Sequence, residues 1–225
     1  MLFTAKDITV TLSGDGGLFR AVDNISFELN AGEILDITGP SGSGKSTLLH
    51  ALGMQVVSCT GTMLFQGVPS TQFAPQQWRR HIALVQQKPT LLAGTVKDNL
   101  LLPWSLKAYA QETPPTTNVL LQSLESARLG DITLDRSIDK LSVGQQARVA
   151  FLRTLLSAPR VLLLDEADAA LDDASAEAIG EMTTAFVNQG NAAVRVRHRT
   201  DDGRATARIT VIDGRIVDGQ GGAHG

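Results

Sequence analysis

At 225 residues, 43% hydrophobic and 19% charged, the chain is long enough for one or two domains with a sizeable core. A formal net charge of −3 gives no overall attraction to nucleic acid, and a single cysteine, Cys59, excludes an internal disulfide framework and fits a reducing compartment. No apolar run approaches the ~20 residues that span a bilayer, and residues 1–7 lack the apolar block of a secretory signal, so a cytoplasmic chain is expected.

Residues 6–12 and 24–29 alternate apolar and polar (Ile8, Val10, Leu12; then Ile25, Phe27, Leu29), which predicts two strands around a turn at Ser13-Gly14-Asp15-Gly16-Gly17. Ala31-Gly32-Glu33 is a second turn. It feeds the run Ile34-Leu35-Asp36-Ile37, which enters a glycine-rich stretch, and Leu48, Leu49 and Leu52 follow at helical spacing. Gly61 to Gly67 reads as a short strand closed by glycine, and Ile82-Ala83-Leu84-Val85 as another, ending in Gln86-Gln87-Lys88-Pro89. From about 90 to 140 the pattern changes: Pro103, Pro114 and Pro115 punctuate it, and Asn118 to Leu129 carries a helical face, which predicts a mostly helical insertion. Leu141-Ser142-Val143-Gly144-Gln145 opens a helix striped by Val149, Leu152, Leu155 and Leu156, with Pro159 past its end. Val161 to Leu164 is unbroken apolar, so a strand buried on both faces ends at Asp165-Glu166. Ala174 to Val187 reads as a helix, Ala192 to Val196 as a strand with His198 beyond it, and Arg208 to Val217 as a closing hairpin about Asp213-Gly214. Gly219 to Gly225 reads as a disordered tail.

The chemistry starts at Gly39-Pro40-Ser41-Gly42-Ser43-Gly44-Lys45-Ser46-Thr47, which fits G-x-x-x-x-G-K-[ST] at every position and lies between a strand and a helix. Glycines let backbone N–H groups turn inward toward a polyphosphate, and the helix start adds unpaired donors and partial positive charge. Lys45 can reach β- and γ-phosphates, and Ser46 can ligate Mg²⁺. In open α/β sheets ligands lie beyond the carboxyl ends of strands, so Asp165 and Glu166 are expected beside this loop.

These residues resemble the ATP-binding subunits of ABC transporters. The phosphate loop, Gln87, the LSVGQ stretch at 141–145, Val161–Glu166, Ala169-Ala170-Leu171-Asp172 and His198 stand in that family's order, over essentially the whole chain. The resemblance implies an α/β fold: a P-loop NTPase core with a mixed central sheet, an N-terminal antiparallel β subdomain and an inserted helical subdomain. One ATPase domain over 1–225 is expected, with its core in 1–89 and 158–225 and the helical subdomain at about 90–157. It also implies roles. Asp165, with Ser46 and Gln87, would hold Mg²⁺; Glu166 would polarise the attacking water; His198 would contact the γ-phosphate; Gln87 would sense metal and water and link to the membrane partner. Gln86 beside it is a rival for that role, although it stands where the family commonly has proline. Ser142, Gly144 and Gln145 would serve the ATP of a second subunit, so a head-to-tail dimer on Mg·ATP is implied, and Asp172 falls in the segment that couples the two sites. The expected partners are a second ATPase subunit and an integral membrane permease that holds the chain at the inner face of the plasma membrane; no nucleic acid is expected.

The departures are specific. Val143 replaces the first glycine of the usual LSGGQ, and Arg195, Arg197 and Arg199 surround His198 where the family usually has apolar residues, threonine and aspartate. Unpaired buried charge is expensive, so either the strand is short, or its end is exposed, or acids pair with it. Leu12 falls near the place where the family has its adenine-stacking aromatic, and Phe19 is the candidate substitute. Gly94 to Leu100, followed by Pro103-Trp104, resembles a small bacterial group of stand-alone ATPases proposed to export iron. The expected function is ATP hydrolysis that powers a separate permease. The alternatives are a non-transport ABC ATPase in translation or DNA maintenance, and an ATP-binding regulatory module with little turnover.

Overall fold

The computed structural model describes residues 1–14, 17–56, 58–88, 90–197 and 201–220, the last two as backbone only. His198, Arg199, Pro89, the Asp15-Gly16 centre of the first predicted turn and the end of the predicted tail lie outside the described residues.

A six-stranded sheet forms the centre, built from β3 (Ile34–Thr38), β6 (Ile82–Val85), β7 (Val161–Asp165), β8 (Ala192–Val196), β9 (Ala207–Ile212) and β10 (Arg215–Gln220), in the order β10-β9-β3-β8-β7-β6. All neighbours run parallel except β9 and β10, which form the antiparallel hairpin about Asp213-Gly214. Strand β7 is buried along its whole length, as its unbroken apolar run requires. Val161 and Leu163 pack on one face of the sheet, Leu162 and Leu164 on the other.

The first face is covered by α1 (Lys45–Leu52) and by a four-stranded antiparallel sheet. That sheet contains β1 (Phe3–Gly14), β2 (Gly17–Leu29), β4 (Cys59–Phe65) and β5 (Val68–Pro69), and α2 (Pro75–His81) leads from it into β6. The second face is covered by α5 (Val143–Leu156) and α6 (Asp173–Asn188), with α3 (Val96–Leu101) and α4 (Thr117–Ser126) packed outside α5 in the same core. The mixed sheet, the antiparallel sheet and the helices between β6 and β7 are the fold class expected.

Strands β1 and β2 run longer than the alternation predicts. Ser13, Gly14 and Gly17 belong to the ladder, not to the turn, with Gly14 opposite Gly17. Gly219 likewise pairs with Ile209 inside β10, so the first residues of the predicted tail are strand.

Candidate functional site

Strand β3 is short and buried, and the chain leaves it through Gly39 at φ 138°, where an added Cβ would sit 2.0 Å from the Val211 carbonyl oxygen of β9. Gly44, at φ 98°, lies as close to β2: a Cβ there would meet the Ala21 carbonyl oxygen at 2.1 Å. Only glycine allows the loop to wedge between two strands at both points. The Gly214 amide donates to the Ser43 carbonyl at 3.0 Å, so the β9–β10 turn braces the same loop.

The loop, β2 and that turn enclose a pocket of about 470 Å³. Ser41, Gly42, Gly44, Lys45, Ser46 and Thr47 line it, together with Glu166. Gly39, Pro40 and Ser43 form the back of the loop instead; among the described residues the buried Ser43 hydroxyl has no hydrogen-bond partner. Lys45 is buried, and its ammonium donates to the carbonyls of Gly39 at 2.9 Å and Pro40 at 2.7 Å. Burial pulls its pKa below the usual lysine value, against the opposing pull of Glu166 and Asp165.

At the carboxyl end of β7 the expected pair arrives beside the loop. The Ser46 hydroxyl donates to Asp165 Oδ1 at 2.8 Å. Glu166 adopts φ 50°, and its amide donates to the Val196 carbonyl at 3.1 Å, which turns the chain out of the sheet. Gln87, from the segment after β6, donates from Nε2 to Glu166 Oε2 at 3.2 Å. Lys45, Ser46, Asp165, Glu166 and Gln87 therefore converge. Ser142, Gly144 and Gln145 do not line the pocket. They build the start of α5: the Ser142 hydroxyl accepts from the Gln145 amide at 3.2 Å, and Gln145 Oε1 accepts from the Ser142 amide at 2.9 Å. Val143 beside them is 66% exposed, so its side chain points away from its own fold. Gly144 is buried, and a Cβ there would lie 2.2 Å from Ser175 Oγ at the start of α6.

Arg195 and Arg197, the two of these arginines within the described residues, are paired with acids. Arg195 reaches Asp36 through Nε at 2.6 Å and Nη2 at 3.0 Å, and Arg197 reaches Asp168 and Asp202 at 3.0 and 2.8 Å. Leu12 and Phe19 are cross-strand partners in the β1–β2 ladder and both line the pocket. Sequence reasoning missed Arg20, Ala21, Asp213 and Gly214, which also line it, and His50, whose Nε2 lies 3.9 Å from Asp165 Oδ2. A helical register would have found His50, one turn after Ser46 on α1. The others carry no local signal.

A strand, a glycine wedge and a helix around one recess, with a serine hydroxyl bonded to a strand-end aspartate, define a P-loop nucleotide-binding cassette. The family model described as ABC transporter matches residues 22–169, and the chain belongs to that family as one of its ATP-binding cassettes. It is 38% identical over 192 residues to the probable iron export ATP-binding protein FetA of Escherichia coli (strain K12), covering 85% of this chain and 82% of that protein. It is 30% identical to the putative ABC transporter ATP-binding protein exp8 of Streptococcus pneumoniae serotype 4, covering 90% of this chain and 35% of that one. Among solved structures, the dimeric post-hydrolysis state of an ATP-binding cassette bound to ADP and Pi superposes with TM-score 0.84 at 24% identity, covering 100% of both chains. Among the described residues, no helix is long and apolar enough to cross a membrane.

Proposed function

We propose that this cassette binds Mg·ATP between two subunits, hydrolyses it to ADP and phosphate, and so powers a separate membrane permease. The observation that carries the reading is one pocket lined by Lys45, Ser46 and Glu166, with Asp165 hydrogen-bonded to that Ser46 and Gln87 to that Glu166. A phosphate oxygen that reaches Lys45 would exchange two neutral carbonyl partners for a charge-assisted bond. Ser46 and Asp165 offer the hard oxygen donors that Mg²⁺ takes alongside phosphates and water, so the residues present fit that ion. Bound there, the ion would neutralise phosphate charge; Gln87 would stand beside it.

Glu166 is the base that polarises water, and its contact with Gln87 places a hydrogen-bond donor on it from the segment that faces the permease. His198 contributes at the γ-phosphate on the strength of the resemblance. Ser142, Gly144 and Gln145 present the start of α5 to the nucleotide of the second subunit; their pairing with one another and with α6 makes that end rigid. The likeness to FetA supports export as the direction and iron as the cargo, carried by the permease.

The test is Mg·ATP binding and steady-state phosphate release by the purified chain and its Lys45→Ala variant. Tight binding and turnover that both vanish in the variant support the reading. Unchanged affinity in Lys45→Ala contradicts the loop assignment.

A further inference from the structure

Three arginines and three aspartates meet where the sheet ends beneath the start of α6. Asp36, on the strand that enters the phosphate loop, takes a two-pronged contact from Arg195 of β8. Arg195 reaches on to both oxygens of Asp202, at 3.0 and 3.1 Å. Asp202 also takes Arg197 at 2.8 Å and Arg204 at 3.4 Å, and Arg197 holds Asp168 through Nε at 3.1 Å and Nη2 at 3.0 Å. Asp36, Arg195 and Asp168 are buried. Room for Arg204 comes from Gly180 of α6, where a Cβ would lie 3.1 Å from the guanidinium carbon.

Stability alone gives little reason to keep this arrangement. Removing charges from water costs about what their attraction returns, and well-packed apolar replacements are often neutral or better. What the network supplies is geometry, because planar guanidinium forks fix distance and orientation at once. The distances it fixes are those of the site. Asp36 lies just before Gly39, and Asp168 lies two residues after Glu166 in the turn closed by the Ala169 amide on the Glu166 carbonyl at 3.0 Å. Glu166 itself sits in the left-handed region, which a non-glycine residue holds only when its surroundings impose it.

We propose that Arg197 and Asp168, braced through Asp202 and Arg195 to Asp36, are positioning residues that fix the Glu166 turn relative to the strand carrying the phosphate loop. The proposal rests on the reading of Glu166 as the base. It concerns the aim of that carboxylate, not nucleotide affinity.

The decisive variant is Asp168→Leu with Arg197→Met, which removes the fork but fills its volume with apolar atoms. Thermal melting, Mg·ATP affinity and phosphate release are measured on the full chain, with Asp168→Asn alone as a second variant. The expected result is a folded protein with affinity within about two-fold of the original and a kcat lowered about ten- to hundred-fold, the scale of an ångström's misplacement. In a Glu166→Gln background the same substitutions should lower single-turnover hydrolysis no further, because the group they position is already gone. A folded double variant with undiminished kcat overturns the proposal, and so does an equal fall in the Glu166→Gln background. Absence of turnover in the unsubstituted chain overturns the reading of the site itself, which separates the two failures.

Discussion

Phe19 is the aromatic side chain that the β1–β2 ladder sets at the rim of the pocket, half exposed and opposite Leu12. A base stacked on an aromatic ring gains about 1–3 kcal/mol, so Phe19→Ala should weaken ATP binding about ten-fold or more and leave thermal stability nearly unchanged. Titration with a fluorescent ATP analogue checks this; an unchanged affinity would return the base to Leu12. Asp202 makes a second prediction. Burial alone would raise its pKa, but hydrogen bonds and charge from Arg195, the Arg204 amide and the Arg197 charge outweigh burial and hold it at about 2 instead of 3.8. A carboxylate depressed on folding contributes stability above its unfolded pKa, and that contribution is lost as pH falls through the folded value. It is on the order of 2 kcal/mol for this shift. Acid unfolding between about pH 4 and 2 should therefore be less steep in Asp202→Asn, measured by circular dichroism. Phosphate-loop residues were legible one by one because each spacing has its own chemistry. The Asp36–Arg195 pair was not: a lone charge in each of two apolar strands is uninterpretable until the register places Asp36 beside Arg195.

Elements were legible where a single period runs through them. Strand β7 and helices α5 and α6 fall within a residue or two of expectation because nothing interrupts their patterns, and β8 keeps its bounds because Asp36 and Asp202 pair its one interruption, Arg195. In the antiparallel sheet the period changes phase. Phe3 and Ala5 are buried, then Ile8 and Val10; on the partner strand Val22 is buried, then Ile25 and Phe27. The phase slips at Asp7 and Asn24, both at positive φ, whose amides are taken by Ser26 and Thr9 hydroxyls at 2.8 and 3.0 Å. Bulges of this kind cut the apparent strand short for any period-two reading. The joint between α5 and α6 was equally invisible, because the closeness of Gly144 to Ser175 belongs to packing between helices. There, Gly144→Ala must push the buried Ser175 side chain or shift α5, an overpacking cost of about 1–3 kcal/mol. The expected outcome is a lower melting temperature and a loss of ATP-driven association larger than the loss of ATP binding. Calorimetry and light scattering check it, and an unperturbed association would detach this glycine from the interface.

For the molecule as a whole, the phosphate loop and Glu166 line one pocket, with Asp165 and Gln87 bonded to its Ser46 and Glu166, while the α5 start lies elsewhere with Val143 turned outward. Two such surfaces placed head to tail would complete two sites, each with the Ser142 end of one chain against the phosphate of the other. The start of α5 packs on the start of α6, which follows directly from the Glu166 turn: Gly144 lies against Ser175, whose amide and hydroxyl both donate to the Asp172 carboxylate at 2.9 Å. Whether ATP is shared in this way is tested most directly by the mass of Glu166→Gln in solution, measured by size-exclusion chromatography with light scattering, with and without Mg·ATP. A dimer that forms with nucleotide and falls apart without it is predicted. A monomer that holds its ATP alone would contradict the account.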